Sequence, residues 1–430
     1  MEGCRISYET LESQEERTSC HLENIRNNFP IIINNPDTIY FDNASTTQKP
    51  YSVIQTLSDF YMNSCANIGR GSYEWANKNH MAINDVRKKV ASFINGKSIN
   101  EIVFTSGATE SSNLIVYSWA LHNLKDGDEV LLCYTDHKST VLPWINIKEL
   151  LYKSGVTINL VPIINNSQGD YNEIDLYSKI NDKTQVVVLT HIHNAYGMEM
   201  GVQEIVKKIK TIKEDTVFVL DVSQSIGHIK IDTEALGIDF LYFSGHKMFA
   251  GNGVGVLWIN SRLHHQIKPF FVGGNSRFFN DEIIRDYNKG YEMLEAGTMN
   301  IPSILTLEPA IQLINEIGIE VIEGYLLELT QYLIKELKKI SKVQFVSGPP
   351  LCSCVIGYGI ISFKIDGVSS QDIGYILNDY GIFVRTGQHC ISNEGSIDHS
   401  VRVSLQIYNT VEEIDKFISI IKIIAEVDDF

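Results

Sequence analysis

No two cysteines in this chain are spaced C-x-x-C. The seven present among 430 residues are odd in number and scattered: Cys4, Cys20, Cys65, Cys133, Cys352, Cys354 and Cys390. This argues against a structural zinc site and a disulfide framework, and for a reducing compartment. Positive charge is also short. Thirty-six Lys and Arg stand against 52 Asp and Glu, a net charge of −16, so a broad nucleic-acid footprint is not expected. No apolar run reaches the roughly 18 residues of a membrane span. The first stretch, MEGCRISYETLESQEERTSC, is acidic and polar. It has the character of neither a signal peptide nor a transit peptide, and residues 1–21 are expected to form a mobile extension of a cytoplasmic protein. There is no fixed-period repeat.

What is present is an alternation. EIVFTSG, DEVLLCY, TINLVPI, TQVVVLTHI, TVFVLDVSQS, DFLYFSG and GVGVLWI are candidate strands. Several are continuously apolar, as in strands buried on both faces of a mostly parallel sheet. Helical stretches at 109–123, 139–154 and 202–213 lie between them. The pattern predicts a large α/β domain with a mostly parallel seven-stranded sheet, spanning 22–300, and ligands at the C-terminal strand ends. After about residue 300 a long helix (roughly 303–340) precedes shorter strands and a closing helix. This predicts a smaller α+β domain over 301–430.

Chemistry-bearing residues fall at the strand ends. Lys247, in FLYFSGHKMFAGNGVGVLW, follows an apolar run and precedes glycines. Desolvation there costs an ammonium free energy unless it is paired or its pKa falls. Asp221 ends the strand before it. A carboxylate at one strand tip and a lysine at the next suit a pyridoxal phosphate site, where the lysine forms the imine and the carboxylate keeps the ring nitrogen protonated. Two such residues alone are more often a buried ion pair or solvated loop side chains. Gly107, Ala108 and Thr109 sit between a strand and a helix, where backbone N–H groups hold a phosphate or simply make a capped turn. His137 could stack on a planar ring or be an ordinary polar histidine. Asn194 precedes a turn and could also donate to a phenolic oxygen. Cys390 lies beside His389 and near Arg385 in a polar, glycine-flanked segment that suits a reactive thiol. Arg402, on a strand, suits a bidentate grip on a carboxylate or a place on a sheet edge.

YFDNASTTQKP, SGATES, LPW, FSGHKM, EAGT, VRTGQHC and SLQIYNT follow one another in an order, and at spacings, that carry a resemblance. From about residue 22 to its end the chain resembles the fold-type I, class V aminotransferase superfamily, and within it the group II cysteine desulfurases and selenocysteine lyases. The resemblance implies pyridoxal 5'-phosphate as cofactor, with Lys247 as Schiff-base lysine and Asp221 as partner of the pyridinium. It implies Gln224 and Asn194 at the phenolic oxygen, His137 stacked on the ring, and Ala108, Thr109, Ser244 and His246 at the phosphate. Thr298 would reach the phosphate from a neighbouring subunit, implying a homodimer. Arg402, with Asn194 and Arg385, would bind the substrate, expected to be L-cysteine. Cys390 would take its sulfur as a persulfide and pass it to an acceptor protein, as in sulfur mobilisation for iron–sulfur cluster assembly. The resemblance implies no metal, nucleic-acid or membrane partner. It also implies that residues from about 22 to 45 pack on the small domain.

The chain departs from the group II pattern at the mouth of the implied site. GRGSY (69–73) replaces HRGIH, AGNG (250–253) follows the lysine in place of GPTG, and Gln388-His389 precedes Cys390 where two histidines are usual. These departures keep two rivals open. One is a C–S lyase, epimerase or other specialised amino-acid enzyme using the same cofactor. The other is a non-catalytic sulfur carrier or regulatory relative.

Overall fold

The computed structural model describes residues 25–69, 71–166, 169–274, 290–346, 357–391 and 399–426. The expected extension (1–21) and Cys4, Cys20, Cys352 and Cys354 lie outside them. All seven candidate strands form: β2 (Ile102–Thr105), β3 (Glu129–Cys133), β4 (Asn159–Ile163), β5 (Thr184–Thr190), β6 (Val217–Asp221), β7 (Phe240–Ser244) and β8 (Gly255–Ile259), after a short β1 (Ile39–Tyr40). They pair as one sheet in the order β2-β8-β7-β6-β5-β3-β4. Neighbours are parallel except where β8 runs against β2 and β7.

The continuous apolar runs have a direct cause, since alternate residues enter two cores on opposite faces. Leu131, Val187, Leu189, Phe218, Leu220 and Phe243 join one. Val130, Leu132, Val186, Val188, Val219 and Tyr242 join the other. Each fully buried side chain of this kind is worth about 1.5–3 kcal/mol relative to exposure. Strand β4 differs: it is only partly buried and contains Pro162, as an edge strand allows. The helix Val202–Ile212 buries Val202, Ile205, Val206 and Ile209, the spacing of one helical face. On the other face of the sheet the helix Lys138–Lys153 buries Trp144 and Ile147.

The helix expected over 303–340 is three helices: Ile301–Leu305, Leu307–Ile317 and Ile319–Leu337. The break between the last two falls at Gly318, whose φ of 91° is open to glycine and costly for other residues. The helix expected at 109–123 runs from Ala108 to Asn123, with a π-helical turn at Val116–Ala120.

A second sheet is built from β9 (Val343–Phe345), β10 (Ile360–Ile365), β12 (Arg385–Gly387) and β13 (Ser400–Ser404), in the antiparallel order β12-β13-β10-β9. Beside it β1 pairs in parallel with β11 (Ile382–Phe383), Ile39 opposite Ile382. Asp42 bridges Ser404. The start of the described chain is thereby held among its last residues.

Candidate active site

The residues after the tips of β2, β3, β5, β6 and β7 meet β12 and β13 around one cavity of about 210 Å³. Twelve of the residues singled out in the sequence line it: Ala108, Thr109, His137, Asn194, Asp221, Gln224, Ser244, His246, Lys247, Arg385, Cys390 and Arg402. Thr298 does not. It is exposed, and its hydroxyl accepts a hydrogen bond from Asn67.

At one end, Ala108 begins a helix and its N–H donates to Ser244 Oγ at 2.8 Å. The positive end of that helix suits an anion. The turn packs so closely that a Cβ on Gly255 would stand 2.5 Å from the Gly107 Cα. His246 lies beside it. Burial, then the Lys247 and Lys49 charges, hold its imidazole down at about 4.

At the other end stands Asp221, 6% exposed. Its carboxylate accepts from Thr140 Oγ1 at 2.8 Å and from the Ser223 N–H at 2.8 Å. Thr140 in turn accepts from the Tyr242 hydroxyl. Lys247 follows β7. Burial lowers its amine to about 8, opposed by Asp221 and the Cys390 sulfur and reinforced by Arg402 and Arg385. His137 is the N-cap of the helix Lys138–Lys153, its Nδ1 accepting from the Ser139 N–H. Burial and the Lys247 charge push it down to about 4, so its ring is neutral and fixed in orientation.

The opposite wall comes from the second sheet. Arg402, 3% exposed, donates to Asn194 O at 3.0 Å, Asp42 Oδ1 at 3.0 Å and Ser45 Oγ at 2.9 Å. Arg385 donates to Ser45 Oγ at 2.8 Å and to Cys390 Sγ at 3.7 Å. His389 and Cys390 have φ of 50° and 60°, left-handed conformations that cost about 1–2 kcal/mol each in a non-glycine residue. Residues beyond the ends of β3 and β5 hold them there. Asn194 Nδ2 donates to His389 O and the Lys138 N–H to Cys390 O, both at 2.8 Å.

The sequence profile described as Aminotransferase class-V matches residues 39–417. The chain belongs to the class V aminotransferase family. Within that family it is similar to curated cysteine desulfurases. It is 34% identical to one from Synechococcus elongatus, over 93% of this chain and 63% of that protein. It is 32% identical to one from Wigglesworthia glossinidia brevipalpis, over 94% of this chain and 97% of that protein. The chain thus spans less than two thirds of the first relative and nearly all of the second. Among solved structures it matches an apo cysteine desulfurase from Thermococcus onnurineus with a TM-score of 0.85 and 30% identity, covering 94% of this chain and 98% of that one.

Enzymes of the class V aminotransferase family work with pyridoxal 5'-phosphate, and the cavity fits that group. Buried polar atoms of its lining residues have no partner among the described residues: Asn194 Oδ1, Ser223 Oγ, Gln224 Oε1 and Arg402 Nε. Buried groups of this kind are normally satisfied; Ser223 Oγ and Arg402 Nε can donate to an anionic group, while the amide oxygens of Asn194 and Gln224 accept from an N–H or O–H donor. Gln224 also donates from Nε2 to Ala44 O at 2.9 Å. The positions where this class V chain departs from the group II pattern, Gly69, Tyr73, Ala250 to Gly253 and Gln388, lie outside the cavity lining, whereas the retained His389 is in it. Arg70 is outside the described residues.

Residue-by-residue reading of the sequence missed Asp42, Ser45 and Thr140. Thr140 follows His137 by one helical turn, which was the available signal. Asp42 and Ser45 lie in YFDNASTT, far in sequence from the arginines they bind.

Proposed function

We propose that the chain is a cytoplasmic, pyridoxal-phosphate-dependent cysteine desulfurase that converts L-cysteine to L-alanine and carries the sulfur on Cys390. The observation that supports this most is the meeting of Lys247 and Asp221 from one domain with Cys390 and Arg402 from the other around a single cavity.

Bound covalently through Lys247, pyridoxal 5'-phosphate supplies an electron sink for the charge that develops at the substrate Cα. The amides of Ala108 and Thr109, with Ser244 and His246, hold the phosphate. A second copy of the chain adds Thr298 to it, making the enzyme a homodimer. Asp221, held by Thr140 and Ser223, would pair with the ring nitrogen. His137 would lie against the ring, and Gln224 and Asn194 would lie at the phenolic oxygen.

Arg402 binds the substrate carboxylate. The Lys247 amine, lowered to about 8, is neutral often enough near neutral pH to take the Cα proton and return it. Cys390, as thiolate, attacks the substrate sulfur. The S–S bond forms as the Cβ–S bond breaks, and the electron pair remains with the three-carbon fragment that leaves as alanine. The persulfide then passes to an acceptor protein.

Product analysis tests this. The purified holoenzyme is incubated with L-cysteine and a reductant, and alanine, pyruvate and sulfide are quantified. Equal alanine and sulfide, both lost in Cys390→Ala, are expected. Pyruvate as the main product would identify a C–S lyase instead.

A further inference from the structure

The Ser45 hydroxyl has one proton and two lone pairs, and all three are spent. It donates to Asp42 Oδ1 at 2.7 Å. It accepts from Arg402 Nη2 at 2.9 Å and from Arg385 Nη1 at 2.8 Å. Asp42 completes the knot, 3.0 Å from Arg402 and 3.7 Å from Arg385. Two cations side by side repel, so a shared neutral acceptor and a shared carboxylate are what let them stand together. They do different work. Arg402 is buried, whereas Arg385 is 38% exposed and its other nitrogen reaches Cys390 Sγ at 3.7 Å. Without the Ser45 bond, an exposed arginine would spread over many rotamers and leave the sulfur.

We propose that Ser45 is a positioning residue for sulfur transfer: it holds Arg385 over the Cys390 sulfur and ties that placement to Arg402. This rests on the reading of Cys390 as the nucleophile. The thiolate faces cations from three elements: Arg385 on β12, Arg402 on β13 and Lys247 after β7. The last two lie close enough for their charges to couple to the sulfur. Among the described residues, His137 and His389, both lowered by burial, line the same cavity. Ser45 governs the one cation of the three that is free to leave.

The test is the rate at which iodoacetamide alkylates Cys390 in the holoenzyme without substrate. It is followed across pH by peptide mass analysis, so that exposed Cys65 is scored separately. Ser45→Ala slows Cys390 alkylation about threefold near neutral pH, the size of a partly exposed charge interaction. It leaves Cys65 unchanged. Ser45→Thr, which keeps the hydroxyl, restores the profile. Arg385→Gln gives the same slowing, and combining it with Ser45→Ala adds nothing further, because the serine acts through the arginine. A Ser45→Ala profile that superimposes on wild type, or effects of the two substitutions that add, would overturn the proposal. Alkylation needs no turnover, so its outcome stands apart from product analysis. Desulfuration surviving in Cys390→Ala would sink the functional reading while leaving the Ser45 measurement intact.

Discussion

The two walls of the cavity are built in different ways. Asp221 ends a strand of the large sheet, and Lys247, His137 and Ala108 each follow one by a few residues, with short hydrogen bonds at Asp221, His137 and Ala108. The facing wall is a knot: two arginines on one serine and one carboxylate, beside a cysteine in a left-handed conformation held open by bonds from across the cavity. The first wall keeps a bound group still. The second holds a thiol in a conformation that it would leave if released. Strain of this kind persists only where the surroundings over-determine it, and here the bonds come from residues beyond the ends of β3 and β5. Placing Cys390 thus depends on both sheets being together, whereas the wall carrying Lys247 and Asp221 is built on one.

Substitutions on each wall test that contrast. Lys247→Ala has the largest expected effect: alanine formation falls by about 10³-fold or more, since both the covalent attachment and the proton carrier are gone. Cys390 alkylation would report whether the far wall survives. If it does not, the walls are less independent than argued. Arg402→Lys comes next. A bidentate grip becomes a point charge, and kcat/KM for L-cysteine drops by about 10²-fold, mostly through KM. A fall in kcat alone would place Arg402 in the chemistry instead of in binding.

Thr140→Val removes a buried donor to Asp221 and costs about 1–2 kcal/mol. It reduces turnover about tenfold and leaves Cys390 alkylation unchanged, which a kinetic comparison of the two readouts checks. The smallest effect is in pH. Burial has lowered the Lys247 amine to about 8, so the neutral, attacking form grows as pH rises through that value. Covalent uptake of pyridoxal phosphate by the apoenzyme is therefore about fivefold faster at pH 8 than at pH 7 and levels off above pH 9. Asp221 holds the amine up, so Asp221→Asn moves this limb to lower pH. A limb that stays put would mean that the carboxylate is not felt at the lysine.

The ring-binding wall was the more legible one in the sequence, for a physical reason. Buried parallel strands read as apolar runs, and a polar residue at the end of such a run is conspicuous, as Asp221 and Lys247 are. Motif order supplied the roles. Thr140 was harder to see, because a threonine one turn into a helix looks like any other. The opposite wall was legible only as single residues. Nothing local says that Ser45 meets Arg385, since their contact depends on β1 reaching β11. The interruption of the helical stretch after 303 went unseen too, because apolar spacing continues through Gly318 while the backbone turns there.

The pairing of Ile39–Tyr40 with Ile382–Phe383 also bears on how the protein is made. The first strand leaves the ribosome more than three hundred residues before its partner. At about 5–20 residues per second, it waits about 20 to 70 seconds with its edge unpaired. Asp42 and Ser45 wait with it for both arginines. A nascent chain can complete its large sheet during that interval, yet the cluster of Asp42, Ser45, Arg385 and Arg402 comes together only after residue 402 has emerged.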